Sequence, residues 1–428
     1  MRKIYFFLAT LLFTTSLMAQ SASANFTSAV NKFRQYYNSN HPDSIFNMFS
    51  PQMKAALPLE KFKPTTEQLR TQLGMLKGVE LIKFSQPLAV YKATFDNAIF
   101  DLNLSLDAQN KLTGLLLSPH SDQAAAKMAM DPSLKESPLL LKTMSGTISG
   151  TLTTPDNSTG KVPVVLIIAG SGPTDRDCNS PKLGLNTNAY KMLANELGKA
   201  GIATVRYDKR LVGQSVSSTK PKELRFEDYV DDAVGMVQLL AEDKRFSKVI
   251  VLGHSEGSLI GILSARDEPV NALISVAGAG RSADLVVTDQ MKAQPKFIQD
   301  NFKLMLDSLK KGKFTESIDP KIYAIAGPEV QPYLMSWFRY NPAREIKKLK
   351  IPVLILQGTT DLQVPVSEAE LLKKAKSEAR LVIIPGMNHI MKDAPADREQ
   401  NMATYNKPEL PLDPELVKNI ISFVKELK

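Results

Sequence analysis

Cysteine is almost absent from this chain: among 428 residues there is one, Cys178. No intramolecular disulfide can form in any redox compartment, so stability has to come from a buried core. Histidine is scarce too, with four residues scattered at His41, His120, His254 and His389. One cysteine and four dispersed histidines offer no zinc-type ligand cluster, and no metal or other cofactor is expected. Past the first twenty or so residues, no run is apolar enough to span a bilayer. The formal charge of +9 is spread along the chain. Its densest runs, Lys347-Lys348 and Lys373-Lys374, read as solvated helix faces. No basic stripe interleaves with aromatics, which argues against a nucleic-acid partner. With 43% hydrophobic and 23% charged residues, the remaining composition is that of a soluble globular chain with a real core. The length allows about three domain-sized units.

The first residues form a targeting segment. Arg2-Lys3 is a basic start, Ile4 to Met18 is an apolar stretch too short to cross a membrane comfortably, and small residues follow at Ala19 and at Ala22-Ser23-Ala24. No cysteine lies near the cleavage region, so a lipid-modified N-terminus is not supported. Met1–Ala19 is therefore expected to be a signal peptide. The mature chain would be exported, periplasmic or secreted, with no stable membrane insertion after its removal.

Residues 25–120 read as a small α+β domain. Phe26, Ala29, Val30, Phe33 and Tyr37 fall at helical spacing, a second short helix follows Pro42, and four candidate strands come later: Val79–Phe84, Leu88–Phe95, Ile99–Leu106 and Leu112–Leu117. Asp107-Ala-Gln-Asn110 suits a hairpin turn. Helices followed by an antiparallel meander resemble the small cone-shaped domains of the nuclear-transport-factor-like superfamily. Residues 121–140, richer in Ala, Ser, Pro and charge, read as a linker punctuated by Pro132 and Pro138.

From residue 141 to 428 the pattern is strands alternating with helices. Strands are expected at Thr147–Thr153, Val162–Ala169, Ile202–Tyr207, Lys248–Leu252, Asn271–Ala277, Val353–Gln357 and Leu381–Pro385. Helices are expected at Ala189–Ala200, Phe226–Leu240, Glu256–Arg266 and Pro414–Lys428. Buried strands with helical crossovers mean a mostly parallel sheet covered on both faces. Between Arg281 and Lys350 helical periodicity continues without a strand. This insertion leaves from a strand's carboxyl end, where open α/β sheets keep their sites, so it reads as a helical lid. The other reading is an insertion packed at the sheet edge, away from the site.

The stretch Val249-Ile-Val-Leu-Gly-His-Ser-Glu-Gly257 is a buried strand ending in Gly253-x-Ser255-x-Gly257, followed at once by a helix. A serine on such a turn has its hydroxyl pushed out of the sheet, and the flanking glycines avoid a Cβ clash. A serine hydroxyl needs a base. His41 and His120 belong to the N-terminal region and His254 diverges from Ser255 within the elbow. That leaves His389, in a loop just after a strand. Asp361, in the turn after Val353–Gly358, can reach it to hold its tautomer, giving the chain order Ser255, Asp361, His389. Asp393 and Glu368 are rivals that fit a solvated loop or helix better. Two backbone N–H groups are needed for the developing oxyanion. Glu256 supplies one. The loop Gly170-Ser-Gly-Pro-Thr-Asp-Arg-Asp177 supplies the other, from Ser171 or, next, Gly172; it lacks the Lys-Ser/Thr ending of a phosphate-binding loop.

Those two motifs, with Arg206-Tyr-Asp-Lys-Arg210, Leu356-Gln-Gly-Thr-Thr-Asp361 and Gly386-Met-Asn-His389, resemble the α/β-hydrolase superfamily over residues 141–428. Within it they resemble bacterial carboxylesterases near the serine aminopeptidase-like branch. The resemblance implies the α/β-hydrolase fold and hydrolysis of a small-molecule carboxylic ester. Two departures stand out. Leu211-Val212 precede Gly213-Gln-Ser215, where relatives often read Arg-Gly-x-Gly-x-Ser, and Glu256 occupies a position that is more usually neutral. The same residues could serve an aminopeptidase or acyl-peptide hydrolase. A ligand-binding exported protein with a relic hydrolase domain is the third reading.

Overall fold

The computed structural model describes residues 24–119, 128–156, 158, 160–181, 184–292, 294–315, 318 and 327–428. The expected signal peptide, and residues 121–127 of the expected linker, lie outside the described residues. The chain divides into two compact units, one up to Gln123 and one from Ala124.

The first unit opens with helix α1 (Ala24–Asn38), which buries Phe26, Ala29, Val30, Phe33 and Tyr37, the positions that share one helical face in the sequence. Helices α2 (Pro42–Asn47), α3 (Pro51–Ala56) and α4 (Leu59–Leu73) follow. The sequence reading stops at α2. It misses α4 because Pro64 lies inside the helix and only Phe62, Thr66 and Leu73 are buried along it. Strands β1 (Leu76–Ser85), β2 (Leu88–Phe95), β3 (Ile99–Leu106) and β4 (Leu112–Pro119) form an antiparallel meander. Leu102, Leu104 and Leu106 alternate into the core of the unit.

The second unit is built on a nine-stranded sheet among the described residues. Strands β5 (Leu134–Thr143) and β6 (Gly146–Pro155) are an antiparallel hairpin. Next come β7 (Val162–Ile168), the short antiparallel pair β8 (Asn179–Ser180) and β9 (Leu185–Asn186), helix α5 (Ala189–Lys199), β10 (Ala203–Tyr207) and β11 (Val216–Ser217). Then follow α6 (Phe226–Glu242), β12 (Phe246–His254), α7 (Glu256–Ser264) and β13 (Ala272–Val276). The sheet runs β6-β10-β7-β12-β13, then β14 (Val353–Gly358) and β15 (Arg380–Ile384), parallel from β10 onward; β5 and β11 also pair with β6.

Both faces of the sheet are covered. Val164, Leu166 and Ile168 point into one core cluster and Val165, Ile167 and Ala169 into another, so β7 reads as a continuous apolar run. Part of the expected linker is sheet instead, because Leu134–Thr143 is an edge strand. Its charges at Lys135, Glu136 and Lys142, and its Pro138, are what edge strands tolerate and linkers also contain.

Among its described residues the Arg281–Lys350 insertion is helical, as expected: α8 (Ala283–Met291), α9 (Lys296–Lys310), α10 (Gln331–Trp337) and α11 (Pro342–Ile346). After it, α12 (Val366–Ala375) follows β14, and the short α13 (Arg398–Ala403) precedes the closing helix α14 (Pro414–Glu426).

Candidate active site

β7, β12, β13, β14 and β15 are successive parallel strands of the sheet, so the loops that leave them gather at one edge. Ser255 sits between β12 and α7 with φ 55° and ψ −121°. This left-handed backbone is disfavoured for a residue with a Cβ, at a cost of about 1–3 kcal/mol. The surroundings enforce it. Ser255 N–H donates to Val276 O at 2.9 Å. A Cβ at Gly253 would lie 2.1 Å from Gly257 O, and one at Gly257 would lie 2.3 Å from Ile168 O. Strand and helix can approach this closely only with both glycines.

Asp361 and His389 meet, with His389 Nδ1 2.8 Å from Asp361 Oδ2 and both side chains buried. Gln357 Nε2 also donates to Oδ2, at 3.1 Å, while Gln363 N–H and Val364 N–H donate to Oδ1 at 2.8 and 2.9 Å. Burial by itself would raise the Asp361 carboxyl. The His389 charge and hydrogen bond, with the two backbone donors, outweigh it and hold the carboxyl below 3.8. The aspartate is thereby kept as an anion facing Nδ1, which leaves Nε2 of His389 for other work.

Of the rivals, Asp393 is itself exposed, between buried neighbours, and is bridged to Met387. Glu368 departs from expectation. It is fully buried and accepts from Gly280 N–H, Arg281 N–H and Arg281 Nε at 2.9, 2.9 and 2.6 Å. A helix-face pattern hid this role, which is to hold the root of the insertion.

Ser171 and Glu256 flank the serine. Glu256 is the first residue of α7. Gly170 packs so tightly on the elbow that a Cβ there would come 3.2 Å from Ser255 Cβ. Ser171, next along, is exposed and accepts from Thr174 Oγ1 at 3.2 Å, and Gly172 turns with φ 80°.

The departure at Leu211-Val212 is accommodated by a tight turn. Leu211 and Gly213 both have positive φ, and Asp208 accepts from Gln214 N–H at 2.8 Å. A Cβ at Gly213 would meet Asp208 Oδ2 at 2.3 Å. Asp208 in turn takes Arg176 Nη2 at 2.6 Å, which ties this turn to the loop after β7.

His254 is turned away from Ser255, as the elbow geometry requires, yet it is not idle. Tyr190 Oη lies 2.8 Å from its Nδ1, and its Nε2 lies 2.7 Å from the carbonyl oxygen of His389. A carbonyl only accepts, so Nε2 carries the proton and Nδ1 accepts from Tyr190. Gly170 N–H donates to the same Tyr190 oxygen at 3.2 Å. One buried relay therefore joins the loop after β7, the elbow and the His389 loop. Nothing in the local sequence marks Tyr190 for this role.

Burial, and then the nearby His389, push His254 down from 6.5 to about 3. Between those values the unfolded chain binds a proton that the folded chain refuses. The stabilisation is complete above pH 6.5 and is lost as pH falls toward 3, by up to about 1.4 kcal/mol per unit. Asp175 and Asp232, raised by burial to about 6, act in the opposite sense and cancel in a comparison of variants. His254→Gln keeps a donor and an acceptor but does not titrate. Urea midpoints at pH 7.5 and 4.5 should fall further for the native chain than for His254→Gln. Equal falls would refute the buried neutral imidazole.

The insertion reaches the site from two sides. Gln290 Nε2 of α8 donates to Gln363 O at 3.0 Å, within the Asp361 turn. On α10, Trp337 stacks on Phe226 with centroids 6.0 Å apart, and Tyr333 meets Tyr229 edge-on at 5.7 Å. The Tyr333 hydroxyl is buried close to the Glu256 carboxylate; burial, with the Glu256 charge behind it, raises its pKa well above the usual value.

Comparison with known proteins gives the same architecture. Residues 30–115 match a family described as protein of unknown function (DUF3887), and residues 183–323 match the family described as serine aminopeptidase, S33. Esterase EstD of Thermotoga maritima is 28% identical over 370 residues, covering 84% of this chain and 86% of that protein. The hypothetical protein PA2218 of Pseudomonas aeruginosa, at 13% identity, superposes with a TM-score of 0.50 over 72% of this chain and 99% of its own. Est1E from Butyrivibrio proteoclasticus, solved with ferulic acid bound, is 18% identical with a TM-score of 0.46, over 67% of this chain and 99% of its own. The mostly parallel sheet flanked by helices, the strained serine elbow and the likeness to PA2218 agree on the fold, which is that of the α/β hydrolases.

Proposed function

We propose that this chain is an exported serine hydrolase that cleaves carboxylic esters through Ser255, His389 and Asp361. The observation that carries the reading is a left-handed Ser255 beside a buried His389 whose Nδ1 is held 2.8 Å from Asp361. The rings of His254 and His389 lie 4.9 Å apart, which sets the base next to the elbow. His389 Nε2 takes the Ser255 proton as Oγ attacks the acyl carbon. The carbonyl π electrons move onto oxygen, where the N–H groups of Ser171 and Glu256 receive the charge. On collapse the alkoxy group leaves with the proton from His389. Water then repeats the cycle on the acyl-enzyme and releases the acid. Throughout, the anionic Asp361 stabilises the imidazolium.

The match to a serine aminopeptidase family favours a second reading, amide cleavage with the same residues. That chemistry usually needs carboxylates to hold a free amine. In the insertion, Asp284 is engaged by Lys310 at 2.8 Å, and Asp289 by Arg281 at 2.8 Å and Lys292 at 2.6 Å. These two carboxylates of α8 are spoken for, and the likeness to an esterase over most of the chain supports the ester reading.

Purification from an envelope or secreted fraction, followed by a rate comparison, tests both parts of the proposal. The mature chain should begin at Gln20 or Asn25. It should turn over aryl acetates faster than aminoacyl anilides, and its Ser255 should label with a fluorophosphonate. An intact Met1 in cytosolic protein would sink the export, and faster anilide turnover would reverse the substrate class. A folded chain that does not label would favour the relic-binder reading.

A further inference from the structure

Arg206-Tyr-Asp-Lys-Arg210 is the one conspicuous motif that the proposed mechanism leaves without work. Two of its charges are structural. Arg206 is buried and reaches Glu136 at 2.7 Å and Asp177 at 3.0 Å, while Arg210 holds Asp232 through two bonds of 2.8 and 2.9 Å. Lys209 is different, because it points at the active-site loop. Its ammonium, 2% exposed, donates to Gly170 O at 2.7 Å and lies 3.4 Å from Glu256 Oε1. It also sits 4.8 Å from the centre of the Tyr229 ring.

A buried ammonium and carboxylate lose their hydration, and an apolar pair of the same size is often no less stable. Stability alone is therefore a poor reason to keep Lys209. The Glu256 carboxylate also has the buried Tyr333 hydroxyl beside it. What the pair does accomplish is geometric. The carbonyl of Gly170 and the N–H of Ser171 belong to one peptide unit, which is planar and trans, so they point in opposite directions. Fixing the carbonyl oxygen fixes the direction of the Ser171 N–H. Gly170 N–H, on the preceding peptide unit, donates to Tyr190 Oη at 3.2 Å, so Gly170 is held on both sides. The partner of the ammonium is the side chain of Glu256, whose own N–H is the second donor.

The geometry points to Lys209 as the positioning residue of the oxyanion hole, one buried ammonium that sets the Ser171 peptide and anchors the residue carrying the other donor. This inference rests on the assignment of Ser171 and Glu256 N–H groups above. Lys209 does not touch substrate. It acts by preventing the Gly170–Ser171 peptide from rotating, and removing it should weaken binding of the transition state more than binding of the substrate.

The test uses the full mature chain. Lys209→Met alone would leave Glu256 without its counter-ion, so the main variant is Lys209→Met with Glu256→Gln, which retains both backbone donors. Lys209→Gln, which keeps a side-chain donor, is the conservative variant. On an aryl acetate the double variant should lose about 100-fold or more in kcat, the scale of one lost oxyanion donor, with KM within about threefold. Affinity for a trifluoromethyl ketone, which binds as a tetrahedral oxyanion, should fall in step with kcat, while that for the product acid stays near native. Lys209→Gln should recover part of both losses. If the double variant does not fold, Lys209→Gln alone carries the test, with a loss of about tenfold or more in kcat and in ketone affinity. A folded variant with kcat within about twofold of native would overturn the inference, as would lower kcat with unchanged ketone affinity. Ser255→Ala in the same assay separates the two levels. An inactive Ser255→Ala beside fully active Lys209 variants removes only the role of Lys209, whereas an active Ser255→Ala removes the mechanism beneath it.

Discussion

Ser255→Ala is expected to lower kcat on aryl esters by about 10⁴- to 10⁶-fold, the scale at which serine hydrolases lose turnover without their nucleophile. The substitution is structurally quiet. Alanine has the same Cβ and so bears the same left-handed backbone at φ 55°, and the N–H bond to Val276 is untouched. The hydroxyl is lost and nothing else changes, so the thermal midpoint should stay within a few degrees of native. KM should move little, because the N–H groups of Ser171 and Glu256 still meet the bound carbonyl. Residual turnover above about 1% would sink the assignment, since a different nucleophile would have to carry it.

Gly257→Ala should produce the second large loss, this time in folding. The added Cβ would lie 2.3 Å from Ile168 O and 2.7 Å from Ala169 O. Neither oxygen can retreat. Ile168 is paired with Gly253 across the sheet, and Ala169 leads directly into the Gly170 loop. Helix α7 would have to lift off β7, opening a core in which Leu259, Ile260 and Ile262 are buried. A backbone clash of this kind belongs with the rare substitutions that cost about 4 kcal/mol or more. A large fall in the urea midpoint or loss of soluble protein is expected, with turnover lost as α7 moves. A native midpoint with native kcat would show that strand and helix have room this packing denies them.

Much of this site is legible in the sequence because the chain is poor in the relevant residues. Four histidines left little choice of base, and His389 is the one the fold places against Asp361. The parallel strands are legible because both faces are buried, which writes them as unbroken apolar runs such as Val162–Ile168. The buried charges were not legible. Asp208-Lys-Arg210 stands in the sequence only as part of a motif, yet all three side chains are buried, and their partners lie far along the chain. Lys209 meets Gly170, 39 residues away in sequence, and Glu256, 47 residues away. Periodicity finds which residues face inward. It does not tell which charges meet there, because that is decided by strand order. The same limit hid Glu368, read as a solvated position on its helix, and β5, whose charges and proline look like those of a linker.

The Glu368 clamp has a further consequence for how this protein can vary. It fixes Gly280 and Arg281 at the start of the insertion, and Ile346 and Leu349, buried in the main core, fix its end. Between those two anchorages the helices pack largely on one another, around Phe302, Met305, Leu306 and Leu309. The segment is thus an exchangeable cassette with defined splice points. Its length and surface can drift without shifting the register of β13 against β14, and so without moving Ser255 or Asp361. Gln290, Tyr333 and Trp337 are exceptions, since they meet Gln363, Tyr229 and Phe226, and Tyr333 also lies close to Glu256. The cassette can be rewritten provided that those contacts are kept.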